Sequence, residues 1–265
     1  MARTALLNVM VQAATKAGRA LARDFGEVEN LQVSMKGPGD FVTSADRKAE
    51  KILHEELARA RPGYGFLLEE SGEIEGTDKA NRWIVDPLDG TTNFMHAVPL
   101  FAISIGLERD GEIIAGLVFN PVMNELFVAE RGAGAYLNDR RIRVAQRRDL
   151  SQSIVTTGIP HQGRGSHSAY LKTLAPVMAA SAGVRRTGSA ALDLAWLAAG
   201  RFDGFFEPGL SPWDIAGGMI IVSEAGGFAT DYSGRKSPLN ADPIVAGNAD
   251  IHRALVDMLA KSHST

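Results

Sequence analysis

The feature that most constrains this fold is the segment Arg82–Asn93, where an apolar run is followed at once by acids and turn residues. The run Trp83–Val85 is typical of a buried β-strand. Pro87 removes a backbone donor and fixes φ, so we expect the strand to stop there. Gly90 then permits a tight turn. The segment therefore predicts a buried strand that leads directly into a loop at one edge of a sheet.

This loop carries groups that suit ions of both signs. The carboxylates of Asp86 and Asp89 and the carbonyl of Leu88 are oxygen donors that a cation would bind. The backbone N–H groups of Gly90 and Thr91 would bind an anion. A loop that holds both Mg²⁺ and a phosphate is the minimum equipment for metal-assisted phosphate chemistry.

A plainer interpretation of the same segment is a capped turn between a strand and a helix, with a surface pair of aspartates. Thr91 and Thr92 are good N-cap residues for a short helix that would follow. The motif alone does not decide between the two interpretations. The choice depends on the rest of the chain.

The composition is that of an ordinary globular protein, and it excludes several classes of function. The chain has 265 residues, enough for one large domain or two closely packed subdomains. Its net charge of −3 offers no general basic surface, so no direct nucleic-acid binding is expected. It has no cysteine, which excludes disulfides, thiol nucleophiles and cysteine-based metal sites. Without a signal peptide or a membrane-length apolar run, a cytoplasmic protein with no membrane partner is expected.

The N-terminal part predicts two amphipathic helices and a second strand that ends in acids. Residues 4–24 place apolar side chains at helical spacing. A second helix begins near Thr43, where Asp46 three residues later resembles a capping arrangement. Stabilisation of that helix end would explain Asp46 as well as a functional role does. The strand Tyr64–Leu68 runs into Glu69, which repeats the strand-then-acid pattern.

The remaining elements predict an antiparallel meander followed by an α/β layer. Asp110-Gly111 is a strong hairpin signal in the meander, and after about residue 150 strands alternate with helices. No flexible linker is evident near residue 140, so the halves 1–140 (α+β) and 141–265 (α/β) are expected to pack as effectively one domain. The predicted strands are Leu100–Glu108, Glu112–Asn120, Glu125–Glu130, Ala135–Leu137, Ser153–Thr157, Val184–Thr187, Phe202–Glu207, Phe228–Asp231 and Ile244–Ala246, and the later helices are 166–181, Ser189–Ala199, Trp213–Ala225 and 249–260.

Three features of the second half could join a site near the first. The segment Arg185–Ala190 enters a helix N-terminus, where an anion or a hydroxyl group can bind. Glu207 ends a strand, and Asp214 begins a helix just after Trp213. A simple N-terminal cap would also explain Asp214. Asp193 lies inside an apolar helix and needs a partner there, so we interpret it as structural.

The acidic residues favour a hard divalent cation. Glu69, Asp86, Asp89 and Asp214 cannot share one pocket as bare charges, since each close pair costs on the order of a few kcal/mol at moderate dielectric. With oxygen ligands, no cysteine and no patterned histidine, Mg²⁺ or Mn²⁺ is favoured over Zn²⁺. Two ions roughly 4 Å apart could activate a water and neutralise the phosphate and the leaving group. No activated nucleophile is evident, so we expect no covalent phosphoenzyme.

Together these pieces resemble the inositol monophosphatase family, and its bacterial members most closely. The resemblance covers almost the whole chain, with the motifs in the family order. It implies a layered α/β/α/β/α sandwich of the inositol monophosphatase and fructose-1,6-bisphosphatase type. The matching segments are Asp40–Asp46, Glu69–Ser71, Trp83–Asn93, Arg185–Ala191, Trp213–Gly217 and Glu224–Gly227.

The resemblance also implies roles for individual residues and a set of two or three Mg²⁺ ions. Thr91 and Asp46 would orient the attacking water, with Glu69 assisting as base. The implied metal ligands are Glu69, Asp86, the Leu88 carbonyl, Asp89 and Asp214. The implied substrate contacts are Asp89, Gly90, Thr91, Arg185, Gly188, Ser189, Ala190, Glu207 and Asp214.

The expected reaction is hydrolysis of a small phosphorylated polyol, with myo-inositol 1-phosphate favoured, by a Li⁺-sensitive homodimer. Related families act on fructose 1,6-bisphosphate, 3′-phosphoadenosine phosphates or histidinol phosphate, and these alternatives stay open. A second class of function also stays open. Some bacterial relatives act as accessory proteins of the transcription machinery, with RNA polymerase and antitermination factors as partners.

Overall fold

A computed structural model describes residues 3–27, 33–37, 40–161, 165–235, 239 and 243–263. The helices are α1 (Ala5–Phe25), α2 (Ser44–Ala60), α3 (Thr91–Met95), α4 (His167–Ala180), α5 (Ala190–Ala198), α6 (Pro212–Glu224) and α7 (Ala249–His263). The strands are β1 (Val33–Gly37), β2 (Asp40–Thr43), β3 (Tyr64–Leu68), β4 (Gly72–Ile74), β5 (Asp78–Asp89), β6 (Ala102–Arg109), β7 (Glu112–Asn120), β8 (Glu125–Glu130), β9 (Gly134–Leu137), β10 (Arg140–Arg141), β11 (Ile154–Thr157), β12 (Gly183–Arg185), β13 (Gly204–Glu207), β14 (Phe228–Thr230) and β15 (Ile244–Gly247).

The larger sheet has eight strands in the order β10-β9-β8-β7-β6-β5-β3-β4. Strands β5 to β10 form the antiparallel meander that the sequence predicts, and β3 pairs with β5 in parallel. Because β3 and β5 run the same way, both end at the same edge of the sheet. That edge receives Glu69 after β3 and the end of β5 itself.

The smaller sheet has five strands in the order β12-β11-β13-β15-β14. Strand β11 pairs in parallel with β12 and β13, while β15 is antiparallel to β13 and β14. The alternation of strands and helices after residue 150 therefore forms a mixed α/β layer. Glu207 lies at the end of β13, as predicted.

Side-chain burial divides these elements into five layers. Helices α1 and α2 bury Leu7 and Leu53 against one face of the larger sheet. Helices α5 and α6 lie between the two sheets, where Leu194 packs in one cluster with Val118 of β7 and Phe205 of β13. Helices α4 and α7 cover the outer face of the smaller sheet. The predicted α/β/α/β/α sandwich is confirmed, because central strands alternate their side chains between two cores, as Leu117 and Val118 do in β7 and Phe205 and Phe206 do in β13.

The backbone of α6 approaches the larger sheet unusually closely. A Cβ added at Gly106 of β6 would lie 2.6 Å from the Cβ of Ala216, and one added at Gly116 of β7 would lie 2.3 Å from Cγ2 of Ile220. No real side chain tolerates such contacts, so both strand positions require glycine. The close approach brings the N-terminus of α6, and Asp214 with it, toward the end of β5 and the start of β6, where the Ser104 hydroxyl donates to the Trp213 carbonyl.

Several strands were not predicted. A turn-rich loop was expected at residues 36–40, but residues 36 and 37 belong to β1 and residue 40 to β2, which pair in antiparallel fashion. Residues 38 and 39 lie outside the described ranges. The short edge strands β4 and β10 were also missed. Across the part of the chain that the structure describes, no helix has the length and apolar character needed to cross a bilayer.

Candidate metal and phosphate site

Strand β5 does not stop at Pro87, and that prediction was wrong. The strand continues to Asp89, with a shift in pairing to β6 between Asp86 and Asp89. Pro87 and Leu88 sit in this irregularity, where a missing N–H costs no ladder bond. Leu88 N–H donates to Asp86 Oδ1 at 2.8 Å, which folds the acid back over the bend. The bend holds both carboxylates at the sheet edge.

Thr91 and Thr92 were predicted as N-cap residues, and this prediction was wrong, because helix α3 already begins at Thr91. Gly90 occupies the N-cap position with φ 98° and ψ 34°, a conformation that favours glycine. The Thr91 hydroxyl is instead 3.0 Å from Asp46 Oδ1 and 3.1 Å from the Leu88 carbonyl oxygen. Capping is therefore not the role of this hydroxyl.

Asp46 reaches the site from the first turn of α2. Its Oδ2 accepts the backbone N–H of Thr43 at 2.9 Å, and Thr43 accepts in return from the Asp46 N–H, which completes a capping box. Its Oδ1 faces Thr91. Asp46 is fully buried, and burial is the main cause that raises its pKa above the ordinary value. Asp46 therefore stabilises the start of α2, and its position beside Thr91 is also compatible with the functional role that the sequence left open.

The second half of the chain meets this loop through α5 and α6. Ser189, the N-cap residue of α5, donates its hydroxyl to Asp89 Oδ2 at 2.7 Å, and the N–H of Ala191 donates to the same oxygen at 2.7 Å. Asp214 accepts the N–H of Ser211 at 2.7 Å at the start of α6. Asp214 therefore takes part in capping, as the plainer interpretation expected, and also faces the pocket.

These groups surround one pocket of about 180 Å³. Eleven of the predicted site residues line it, namely Glu69, Asp86, Leu88, Asp89, Gly90, Thr91, Gly188, Ser189, Ala190, Glu207 and Asp214. Asp46 does not line the pocket, and its Oδ1 lies 3.0 Å from the hydroxyl of Thr91, which does. A larger groove of about 810 Å³ beside Met219 and Phe228 has a mainly apolar wall and holds none of the predicted site residues.

Negative charge is concentrated in the pocket. Burial, followed by the charges of Glu69, Asp89 and Asp214, raises the pKa of Asp86 well above its ordinary value. Burial raises the pKa of Asp89 to about 7, although hydrogen bonds from Ser189 and Ala191 oppose the shift. The carboxylates repel one another unless protons or cations compensate them.

This electrostatic pattern fits a divalent cation. The donors are carboxylate and carbonyl oxygens, which Mg²⁺ prefers. Within the described residues, no three acidic or histidine side chains lie close enough together to hold a metal ion by themselves, so a cation here would need further ligands from the backbone, water or substrate. The N–H of Ala191 donates to one oxygen of Asp89, and the N–H of Ser211 donates to one oxygen of Asp214, so backbone donors orient both carboxylates. Mg²⁺ usually keeps several waters and shares phosphate oxygens of a substrate, so it needs only one or two carboxylates from the protein.

Arg185 does not line the pocket, contrary to prediction. Its side chain is exposed, and Nη1 donates to the Val184 carbonyl at 3.0 Å. The neighbouring Arg186 lines the pocket instead, and its charge acts to lower the pKa of Glu207 against the larger effect of burial. Adjacent residues of an extended segment point to opposite sides, so the sequence could not tell which arginine faces inward.

Other residues of the pocket wall were not predicted as site residues. Asp193, interpreted as structural, accepts the Thr187 hydroxyl at 2.7 Å and also lines the wall. Burial raises its pKa to about 7. Asn93 lines the wall and joins the two halves of the chain. The sequence feature that could have identified Asn93 as a site residue is its place at the end of the Arg82–Asn93 segment. His161 also lines the wall.

Comparison with known proteins agrees with this geometry. A model of the inositol monophosphatase family matches residues 2–264. A protein named inositol-1-monophosphatase from Mesorhizobium japonicum is 62% identical over 261 residues, which are 98% of each chain. The Nus factor SuhB of Escherichia coli is 43% identical over 251 residues, 95% of this chain and 94% of that protein. The crystal structure of the extragenic suppressor protein suhB from Bartonella henselae has a TM-score of 0.95 at 56% identity, covering 97% of this chain and 99% of that one.

Proposed function

The chain belongs to the inositol monophosphatase family, and from this premise we propose that it is a Mg²⁺-dependent phosphatase of small polyol monophosphates, with myo-inositol 1-phosphate as the favoured substrate. The family makes it a phosphoric monoester hydrolase. The single observation that carries the finer proposal is the pocket in which Glu69, Asp86, Asp89 and Asp214 meet beside the N-terminus of α3.

The ligands proposed for Mg²⁺ are the carboxylates of these four residues and the carbonyl oxygen of Leu88. When bound, the cation would supply Lewis acidity, which activates water and offsets phosphate charge. The number of ions, two or three, follows from the resemblance and stays a prediction. The support for a cation is the position of Asp86, whose pKa is raised first by burial and then by the neighbouring charges of Glu69, Asp89 and Asp214.

Thr91 and Asp46 are proposed to orient the attacking water. The single proton of the Thr91 hydroxyl is directed between Asp46 Oδ1 and the Leu88 carbonyl oxygen, so a lone pair of Oγ1 can accept a hydrogen bond from the water. Glu69 lies close enough for its charge to act on Asp46 and would take up the other proton of the water. The N–H groups of Gly90 and Thr91, at a helix start, would bind the phosphate oxygens.

The rest of the substrate would be held from the second half of the chain. Gly188, Ser189 and Ala190 border the pocket at the start of α5, and Glu207 faces them from the end of β13. These carboxylate and hydroxyl groups are suitable partners for the hydroxyl groups of a polyol. Arg186 replaces Arg185 in the proposed contact set because it lines the same wall.

The first test is phosphate release from myo-inositol 1-phosphate with and without Mg²⁺, and with Li⁺ added. We expect release that requires Mg²⁺ and is inhibited by Li⁺. Asp89→Asn should lose activity by more than the roughly 10- to 100-fold typical of residues that only support a metal ligand. Asp110→Asn is the matched control, because Asp110 is exposed in a hairpin with φ 51°, which asparagine tolerates. Near-normal turnover by the Asp89→Asn variant would contradict the assignment.

The alternative substrates are separated by a panel under the same conditions. Fructose 1,6-bisphosphate, 3′-phosphoadenosine 5′-phosphate and histidinol phosphate differ from inositol phosphate in charge and in the ring they present. We expect kcat/KM to be highest for inositol 1-phosphate. A higher value for another ester would keep the phosphatase and replace its substrate.

A second candidate function is favoured by the 43% identity to a protein named Nus factor SuhB. We propose that the chain also associates with the transcription machinery. A pull-down with RNA polymerase tests this, using the wild type and Asp89→Asn. Retention of both would support a role that does not depend on catalysis, whereas recovery of neither would remove this candidate.

The homodimer implied by the resemblance is also proposed. Three exposed apolar side chains, Val98, Val122 and Met123, lie near one another, because Asn120 bonds to the backbone of both of their loops. Such a cluster suits an interface between copies of the chain. Sedimentation equilibrium of the wild type and of Met123→Lys should distinguish a dimer from a monomer.

A further inference from the structure

A buried carboxylate on α2, Glu50, has no part in the mechanism described so far. Its side chain lies in a residue that is only 3% exposed. One oxygen accepts the backbone N–H of Glu70 at 2.8 Å, and the other accepts the Ser71 hydroxyl at 2.5 Å. Both partners belong to the loop that follows β3. Glu50 therefore binds this loop to the helix at two points.

These contacts bracket Glu69. The N–H of Glu69 donates to the Val85 carbonyl at 3.2 Å, and the N–H of the next residue, Glu70, donates to Glu50. The two peptide groups on either side of the Glu69 Cα are thus both held. With both peptide planes fixed, φ and ψ of Glu69 are fixed, and so is the direction in which its side chain leaves the backbone.

A structural role alone does not account for a charged group at this position. Among the described residues, no lysine or arginine forms an ion pair with Glu50, and burial of an unpaired carboxylate is costly. Two donors offset part of that cost. An apolar side chain would fill the space more cheaply, but it could not accept from either donor of the loop.

The same helix carries Asp46 one turn earlier, and residues four apart share a helix face. Asp46 holds the Thr91 hydroxyl, while Glu50 holds the residues beside Glu69. The helix α2 is a single rigid element of 17 residues. It therefore sets the separation between the loop that presents Thr91 and the loop that presents Glu69.

We propose that Glu50 is a positioning residue that fixes the orientation of Glu69, so that α2 holds both loops of the site at the correct separation. This proposal rests on the proposed function for its effect on turnover. The underlying geometry is independent of the substrate.

The test compares Glu50→Ala with the matched control Glu55→Ala, which removes an exposed carboxylate from the same helix. Three quantities are measured on the full chain: hydrogen exchange of the Glu70 amide, affinity for Mn²⁺ by electron paramagnetic resonance titration, and kcat with KM. For Glu50→Ala we expect faster exchange at Glu70 and a loss of about 10- to 100-fold in Mn²⁺ affinity or kcat, with KM little changed. Glu55→Ala should match the wild type in all three.

Unchanged exchange at Glu70, or Mn²⁺ affinity and kcat equal to those of the wild type in a folded Glu50→Ala protein, would overturn the proposal. If Glu50→Ala does not fold, Glu50→Asp serves instead, because it keeps the charge but is one methylene too short to reach both donors. Wild-type behaviour of Glu50→Asp would likewise overturn it. A wild type that releases no phosphate would contradict the proposed function, but the exchange and Mn²⁺ results would still decide the role of Glu50.

Discussion

At the scale of single residues, the Thr91 hydroxyl is held by two contacts, one to Asp46 and one to the Leu88 carbonyl oxygen. It bonds to Asp46, and Asp46 uses its other oxygen for the cap of α2. The next residue, Thr92, is exposed but lines the same pocket, so it is not an independent reference. Thr77 is an exposed threonine outside the pocket and provides a controlled comparison.

Thr91→Ala should lower kcat strongly while leaving affinity for Mn²⁺ nearly unchanged. The variant removes a group proposed to orient the water but none of the proposed metal ligands, so we expect the loss in turnover, and misplacing a reactant in this way costs on the order of 10²-fold. Steady-state kinetics and a Mn²⁺ titration measure the two effects separately. Thr77→Ala is the control and should behave as the wild type, because Thr77 is exposed and does not line the pocket. A loss of metal affinity alone in Thr91→Ala would make Thr91 a purely structural residue.

Asp193 gives a prediction about pH. Its pKa in the folded protein is raised by burial from 3.8 to about 7. Between these values the folded state holds a proton that the unfolded state has released, so the free energy of unfolding falls as pH rises toward 7. Asp193→Asn keeps an oxygen that can accept from the Thr187 hydroxyl, but its side chain does not titrate. The stability of the variant relative to the wild type should therefore increase by on the order of a few kcal/mol from pH 4 to 7.

Urea unfolding in the presence of a chelator measures this difference. The charge of Asp193 also helps to raise the pKa of Asp89 and of Glu207, so the measured difference includes the response of these two acids to the substitution. A difference between the two proteins that does not vary with pH would show that Asp193 is ionised in the folded state.

The residue scale also marks where sequence reasoning succeeded and where it could not. Runs such as Asp86–Thr91 were predicted to face one pocket, because a strand end followed by Pro and Gly must turn at a sheet edge. The choice between Arg185 and Arg186 depends on the twist of a single strand end, which no local pattern encodes. Glu50 looked like an ordinary polar residue of an amphipathic helix, since its partners are 20 and 21 positions away.

At the scale of elements, Asn93 connects α3 to the entry into α5. Its side-chain amide donates to the Leu100 carbonyl at 2.6 Å and to the Thr187 carbonyl at 2.8 Å. The second contact spans 94 positions in sequence. A Cβ on Gly188 would lie 2.9 Å from the same amide, so the two segments touch there without intervening side chains. Asn93 and Gly188 both line the pocket, so this junction forms part of its wall.

Asn93→Ala should destabilise the protein and lower kcat/KM together. Two carbonyls at a largely buried junction would lose their donor, at a cost of about 1–3 kcal/mol each. Asn81→Ala is a suitable control, because Asn81 also makes two side-chain hydrogen bonds but is only half-buried. Chemical denaturation and kinetics at a single temperature compare the two variants. Equal effects from both would mean that the junction has no special role.

Helices were predicted closely because their apolar spacing is regular over many residues; the helix predicted over 4–24 is α1, which spans Ala5–Phe25. The strands that were missed are short pieces at or near sheet edges, where few side chains are buried and the period of two is not expressed. The incorrect prediction that β5 ends at Pro87 has a different cause. Pro87 is compatible with a strand only at an irregularity in pairing, and such irregularities depend on the neighbouring strand.

At the scale of the whole molecule, the central core is shared by both halves of the chain. Val118 and Phe127 of the larger sheet pack in one cluster with Ile221 of α6 and with Ile244 of the smaller sheet. Removing either half would expose this cluster to water. The proposal that 1–140 and 141–265 act as effectively one domain therefore has a direct thermodynamic test.

Single-tryptophan variants should report one unfolding transition from both halves. Trp83 is fully buried in β5, and Trp196 is partly buried in α5. Fluorescence of a protein that keeps only Trp83 and of one that keeps only Trp196 would be followed in urea, with circular dichroism as a common reference for each. The fluorescence midpoint should coincide with the circular dichroism midpoint in both proteins. Fluorescence that departs from circular dichroism in either variant would show that the halves unfold separately.

The close contact between α6 and the larger sheet also limits how the chain can change over generations. At Gly106 and Gly116 even a single added carbon would meet Ala216 or Ile220 at an impossible distance. Neither position takes part directly in the proposed chemistry, yet neither can accept an alanine without moving the helix that carries Asp214. A survey of tolerated substitutions would therefore find intolerance at these two strand positions comparable to that of the pocket. Inherited variation in this protein is restricted by a backbone contact as firmly as by its catalytic groups.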